Sequence, residues 1–168
     1  MVILGIDPGT AATGYGVIRV VNNAVSWVDC GVIVTDTSKP LPERLLVIYN
    51  GIRAKLDEHK PQRVSVEEAF YGKNVHTTLV LGHSRGVAML AAAQYGCQVA
   101  EYSPREIKKS VTGNGNAAKD QVEYMVKMLL RPPQNKMRQD AYDALAAAMC
   151  DFHNMGREKI LKLGAGVK

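Results

Sequence analysis

Asp7 ends the run Val2-Ile3-Leu4-Gly5-Ile6, and Glu67 ends Val64-Ser65-Val66. Each acid follows a stretch that reads as a buried strand. Strand side chains alternate faces. Asp7 therefore shares a face with Ile3 and Gly5, and Glu67 with Ser65, while Leu4, Ile6, Val64 and Val66 point the other way. Glu68 falls with the valines, so the alternation favours Glu67 over its neighbour. A second pair, Asp140 and Asp143, stands at spacing i, i+3 beside the apolar stripe Ala141, Ala144, Leu145, Ala148 and Phe152. Residues so spaced are neighbours on a helix surface. If that helix packs on the sheet face of Asp7 and Glu67, four carboxylates converge. Clustered carboxylates repel, and burying even one is costly. Hard cations resolve that conflict. Mg²⁺ takes oxygen ligands, keeps several waters and suits sites that share substrate phosphates. Two such ions about 4 Å apart activate a water and stabilise the leaving oxygen of a displacement at phosphorus. Each acid also has a plain structural explanation: a turn before Pro8-Gly9, a favourable charge near a helix N-terminus, a surface glutamate. What those explanations leave unaccounted for is the coincidence of all four.

The elements that would position these acids are legible in outline. Val2–Asp7 reads as a strand, followed by strands at Tyr15–Val21 and Val25–Thr35 with Asn22-Asn23 as the hairpin turn. A helix is predicted over Pro42–Lys60, with Leu45, Ile48, Ile52 and Leu56 on one stripe. Arg63–Phe70 is a fourth strand, Thr77–Tyr95 a Gly- and Ala-rich helix, and Gln98–Tyr102 a fifth strand. Ser103-Pro104-Arg105-Glu106 fits a capping box with proline at the first helical position. Helices at Ala117–Leu130 and Met137–His153 complete the chain. Three strands joined as hairpins, then strands alternating with helices, predict a mixed α/β sheet with helices on its faces.

The 168 residues suit one domain, expected over 1–155, with a basic, loosely ordered tail over 156–168. The three cysteines are scattered and form neither a disulfide framework nor a metal-type pair. They suit a reducing compartment, and the absence of a signal-like or membrane-length apolar run points to the cytoplasm. Net charge is +5. Between Arg105 and Arg138 eight basic residues face three acids, which accounts for the whole surplus. A local excess of this kind suits a polyanion, or simply a solvated face. His76 and His83 read as hydrogen-bonding residues rather than bases or ligands.

At this point the sequence resembles the RuvC family of Holliday-junction resolvases, within the ribonuclease H-like superfamily. ILGIDPG with its TGYGVI continuation resembles the family's first strand and hairpin. VEEAF followed by KN resembles its second acidic motif and the loop after it, and DAYDALAAA its C-terminal acidic pair. The resemblance implies a ribonuclease H-like five-stranded mixed sheet with helices on both faces. It implies that Asp7, Glu67, Asp140 and Asp143 hold two catalytic Mg²⁺ ions, with Mn²⁺ able to substitute. It implies a homodimer that nicks two opposed strands of a four-way DNA junction symmetrically, and the RuvA–RuvB branch-migration complex as a partner. Lys108 and Lys119 resemble the family's basic residues near the scissile backbone. Phe70, Tyr71, Lys73 and Asn74 fall in the loop that engages the crossover, and Arg85 is a further expected DNA contact. A ribonuclease of the same fold that processes ribosomal RNA precursors is an alternative. So is an ATP phosphotransferase, since DPGT followed by TGYG also resembles the hairpin of the actin and sugar-kinase superfamily, although 168 residues cannot supply its two domains. A binding-only module is a further alternative, in which Mg²⁺ would change nothing but affinity.

Overall fold

Strand β1 (Val2–Asp7) lies at the centre of a five-stranded sheet of order β3-β2-β1-β4-β5. The structure, a computed structural model, describes residues 1–68, 75–132 and 137–165, with side chains as far as 155. Strands β2 (Ala12–Val21) and β3 (Ala24–Val34) follow as antiparallel hairpins. Asn22 and Asn23 turn the second hairpin at φ 49° and 62°. Asparagine tolerates this left-handed region, and two such residues in succession match the twist of the flanking strands. Helix α1 (Leu41–His59) then crosses to β4 (Arg63–Glu67), which runs parallel to β1. Helix α2 (Val75–Gln94) leads to β5 (Gln98–Tyr102), parallel to β4. Helices α3 (Pro104–Thr112), α4 (Lys119–Leu130) and α5 (Gln139–Ala165) end the described chain.

The mixed α/β sheet is as the sequence implies. The capping box at α3 is present: Ser103 Oγ accepts from the Glu106 N–H at 3.3 Å, and the Ser103 N–H donates to Glu106 Oε2 at 2.9 Å. Several boundaries differ. β2 starts three residues before the expected Tyr15, because the Gly-rich segment is held in the sheet by its pairing with β1 and β3 rather than by strand propensity. β4 ends at Glu67 instead of Phe70. α5 runs past His153 to Ala165, since the glycine at 156 costs a helix only about 1 kcal/mol and does not end it.

Two cores sandwich the sheet. Leu4, Ile6, Val64 and Val66 pack against α1 and α2 through Ile48, Ile52, Leu56, Ala88, Ala91 and Ala92. Ile3 and Ile18 face α3, α4 and α5. The strand alternation is thus observed directly, and it puts Asp7 and Glu67 on the α5 side. α5 can lie on this face because the sheet beneath it is nearly bare of side chains. A Cβ on Gly5 would stand 1.9 Å from Ala144 O, one on Gly14 2.0 Å from Asp140 O, and one on Gly16 2.6 Å from the Leu145 nitrogen. Gly5 and Gly16 are directly paired across β1 and β2. On the helix side Ala141, Ala144, Ala147 and Ala148 are fully buried. Alanine against glycine brings the backbones of helix and sheet unusually close.

Candidate active site

Asp7 and Glu67 occupy the C-terminal ends of adjacent parallel strands, one residue beyond the paired Ile6 and Val66. Neighbouring strands are about 4.8 Å apart, so the two acids stand side by side. Asp140 is the second residue of α5, and its carbonyl rests over Gly14, the residue paired with Asp7. One turn on, Asp143 is half-buried. The close helix-to-sheet contact thus delivers both helical acids to the strand ends.

The electrostatics show how strongly the four interact. Burial, then the charges of Asp143 and Asp140, push the Asp7 carboxyl up from 3.8 to about 7, against a lowering influence from Lys119. Burial, then Asp7 and Asp143, push Glu67 from 4.5 to about 8, with Lys119 and Lys108 opposing. Neither carboxylate accepts a hydrogen bond among the described residues. The ligand set is oxygen only, anionic and short of positive charge, which is the chemistry a hard divalent cation fits. The helical acids are better provided. Lys119 Nζ donates to Asp143 Oδ2 at 3.0 Å, and Arg138 Nε lies 3.3 Å from Asp140 Oδ2. The Lys119 side chain is 70% exposed, so it sits at the mouth of the site.

A cavity of about 200 Å³ opens beside the strand ends, lined by Asp7, Pro8, Glu67, Glu68, Leu81, Arg85 and Pro104. Glu68 is exposed, and its N–H donates to Tyr102 O. Because β4 stops at Glu67, Glu68 does not follow the valines into the core. Arg85 borders the cavity, but its guanidinium is bound to Glu101 on β5. His76 and His83 are exposed on α2. Phe70, Tyr71, Lys73 and Asn74 lie outside the described residues.

A second acidic group lies across the sheet. Among the described residues, Asp29, Glu58 and His59 are the ones whose ligand atoms fall within 4.8 Å of one another. Lys55 already fills that group, with Nζ 3.1 Å from Asp29 Oδ2 and 2.8 Å from Glu58 Oε2. His59 Nε2 lies 3.0 Å from Asp29 Oδ2. The quartet at the strand ends is wider and emptier. Sequence reasoning missed two features near it. Glu101 neutralises Arg85, and Asp151 is buried on α5. The signal for Asp151 was available, as an acid two turns beyond Asp143 within an otherwise apolar stripe.

Comparison with known proteins supplies an independent frame. The family model described as crossover junction endodeoxyribonuclease RuvC matches residues 3–151. A protein of that description from Pelotomaculum thermopropionicum is 45% identical over 163 residues, 97% of this chain and 99% of its own length. Another, from Ruminiclostridium cellulolyticum, is 46% identical over 158 residues, 93% of this chain and 95% of its own length. Among solved structures, Thermus thermophilus RuvC in complex with a Holliday junction substrate aligns with a TM-score of 0.84 at 31% identity, covering 93% of this chain and 96% of that one. The yeast mitochondrial Holliday junction resolvase shares the fold, with a TM-score of 0.66 at 13% identity over 94% of this chain and 81% of that one.

Proposed function

The chain belongs to the RuvC family of crossover junction endodeoxyribonucleases, and from that premise we propose how its own residues perform the family's reaction. It is an endonuclease that resolves four-way DNA junctions. Asp7, Glu67, Asp140 and Asp143 would hold two divalent cations, Mg²⁺ in the first instance with Mn²⁺ as a substitute. Bound there, the cations supply Lewis-acid activation of the attacking water and of the leaving 3′ oxygen, which gives 5′-phosphate and 3′-hydroxyl ends. The observation that carries this reading is the placement of Asp7 and Glu67: half-buried on adjacent strand ends, mutually repelling and, among the described residues, without a hydrogen-bond donor.

The remaining groups orient the substrate. Lys119, exposed at the mouth of the site, and Lys108, whose charge reaches Glu67, would neutralise the phosphodiester as it arrives, without reading base sequence. Lys119 is held at the site by Asp143 until then. Arg85 faces the same cavity with its charge matched by Glu101, so any contact it makes to DNA is shared with that carboxylate. Phe70, Tyr71, Lys73 and Asn74 are assigned to the crossover, where an aromatic ring stacking on an unpaired base is worth about 1–3 kcal/mol.

Two coordinated nicks require two active sites, hence a homodimer. A face of α2 supports this: Gly82 and Gly86 have open space around them, and Leu79 and Leu90 are 61% and 54% exposed. The RuvA–RuvB complex and the cytoplasm complete the proposed setting. No helix among the described residues is long and apolar enough to cross a membrane. The test is a synthetic mobile four-way junction incubated with and without Mg²⁺. Paired symmetric nicks that need Mg²⁺ are expected. Equal cleavage of linear duplex or of structured RNA would contradict the assignment, and an effect of Mg²⁺ on affinity alone would point to a binding module.

A further inference from the structure

Asp151 is the one fully buried carboxylate among the described residues, and it is completely served. Arg63 Nε donates to Oδ2 at 2.7 Å, and Arg63 NH2 to Oδ1 at 2.8 Å. The Tyr102 hydroxyl donates to Oδ1 at 2.9 Å. Arg63 also reaches Gln98 Oε1 at 2.7 Å, so the cluster joins β4, β5 and α5. Two of these elements, β4 and α5, carry proposed ligands. Arg63 starts the strand that Glu67 ends, and Asp151 lies on the helix of Asp140 and Asp143.

The spacings agree. From Arg63 to Glu67 is four strand residues, about 13 Å. From Asp151 back to Asp143 is eight helical residues, about 12 Å. α5 runs antiparallel to β4, with Arg63 on Asp151 at one end. Midway, two strand residues and four helical residues along, Ser65 Oγ donates to Ala147 O at 2.8 Å. The same step again brings Glu67 level with Asp143. Between these points the helix presents alanines, and apolar contact is non-directional. The glycine trough sets how close α5 comes to the sheet, but small, smooth side chains resist axial sliding poorly. Directional hydrogen bonds to a buried charge resist it well.

We propose that Asp151 is a positioning residue. Clamped by Arg63 and Tyr102, it sets the axial register of α5 against β4, and through that register the approach of Asp143 to Glu67 and the site's affinity for divalent cations. The proposal rests on the reading that Glu67 and Asp143 are ligands, and the controls separate the two.

The probe is Mn²⁺ binding to the full-length protein without DNA, followed by electron paramagnetic resonance. Three variants are compared with wild type: Asp151→Asn, Tyr102→Phe and Asp143→Asn. Breaking a buried ion pair from one side is strongly destabilising, so Asp151→Asn may only be read where circular dichroism shows it folded. Tyr102→Phe removes a single hydroxyl and decides the matter otherwise. The expected result is a Kd for Mn²⁺ raised about tenfold in Asp151→Asn and about threefold in Tyr102→Phe. Stoichiometry and metal-free junction binding should be unchanged. A purely structural role would instead lower the number of competent sites at unaltered Kd. That result, or wild-type Mn²⁺ affinity in folded Tyr102→Phe, overturns the proposal. Wild-type Mn²⁺ binding by Asp143→Asn would overturn the underlying ligand assignment instead.

Discussion

Asp29 and Asp7 are both partly buried aspartates on this sheet, and their surroundings drive them in opposite directions. Burial raises Asp29, but hydrogen bonds from Lys55 and His59, the Lys55 charge and the Cys30 N–H outweigh it and hold its carboxyl below the ordinary value. Tyr15 completes the arrangement, with its ring 4.8 Å from Lys55 Nζ. At Asp7, burial and two further carboxylates push the same way, the Lys119 charge opposes them without prevailing, and no hydrogen-bond donor among the described residues answers them. One region has internal cations and is finished. The other is left short of positive charge, which an arriving metal and a basic rim can supply. A fold tolerates such a deficit where function requires it, so tight clustering of acids is a poorer guide to the site than the missing compensation.

The largest effect should separate the two regions by activity. Asp7→Asn or Asp143→Asn is expected to lower junction cleavage by at least on the order of 10³-fold, with metal-free junction binding nearly unchanged in a gel-shift assay. Asp29→Asn should cut at the wild-type rate. Comparable losses at Asp7 and Asp29 would erase the distinction.

Next comes the trough that brings α5 to the site. Gly5→Ala places a methyl 1.9 Å from a backbone oxygen that cannot rotate away. It should cost at least about 3 kcal/mol in denaturant unfolding and abolish cleavage in whatever remains folded.

The pH dependence should have opposite signs in the two regions. Asp7 and Glu67 have folded values of about 7 and about 8, above their unfolded 3.8 and 4.5. Their contribution to metal-free stability is full below about pH 4 and is lost as the pH rises through 7 and 8. Asp29 has a lowered folded value, so its contribution is present above 3.8 and lost as the pH falls further. Thermal unfolding of the metal-free protein should therefore show a loss as the pH rises from about 4 to 7, which Asp7→Asn reduces, and a loss as the pH falls below 3.8, which Asp29→Asn reduces.

The smallest effect is at Lys55. Lys55→Met should cost about 1 kcal/mol by chemical denaturation, the upper range for a partly exposed ion pair, and leave the Mg²⁺ dependence of cleavage untouched.

Much of this site was readable before any coordinates, because its logic is local. Alternation along Val2–Asp7 and Val64–Glu67 put both acids on one face, and the i, i+3 spacing put Asp140 beside Asp143. The small residues Gly5 and Ser65 were visible too, but not that one receives Ala144 and the other fastens Ala147 O. That depends on which helix arrives and in which register, a long-range matter no window of sequence contains. The same holds for Arg85, which reads as a free cation until Glu101, sixteen residues away, turns out to claim it. The end of β4 at Glu67 instead of Phe70 follows from pairing: β5 ends at Tyr102 opposite Glu67, and once the Glu68 N–H has bonded Tyr102 O no further partner strand remains.

The most direct test of the central claim, that the uncompensated carboxylates are a divalent-cation site, is the thermal shift produced by Mg²⁺ at pH 8 in wild type and in Asp7→Asn. Wild type should begin lower and rise on adding Mg²⁺, whereas Asp7→Asn should begin higher and stay where it is. An equal Mg²⁺ shift in both proteins would contradict the account.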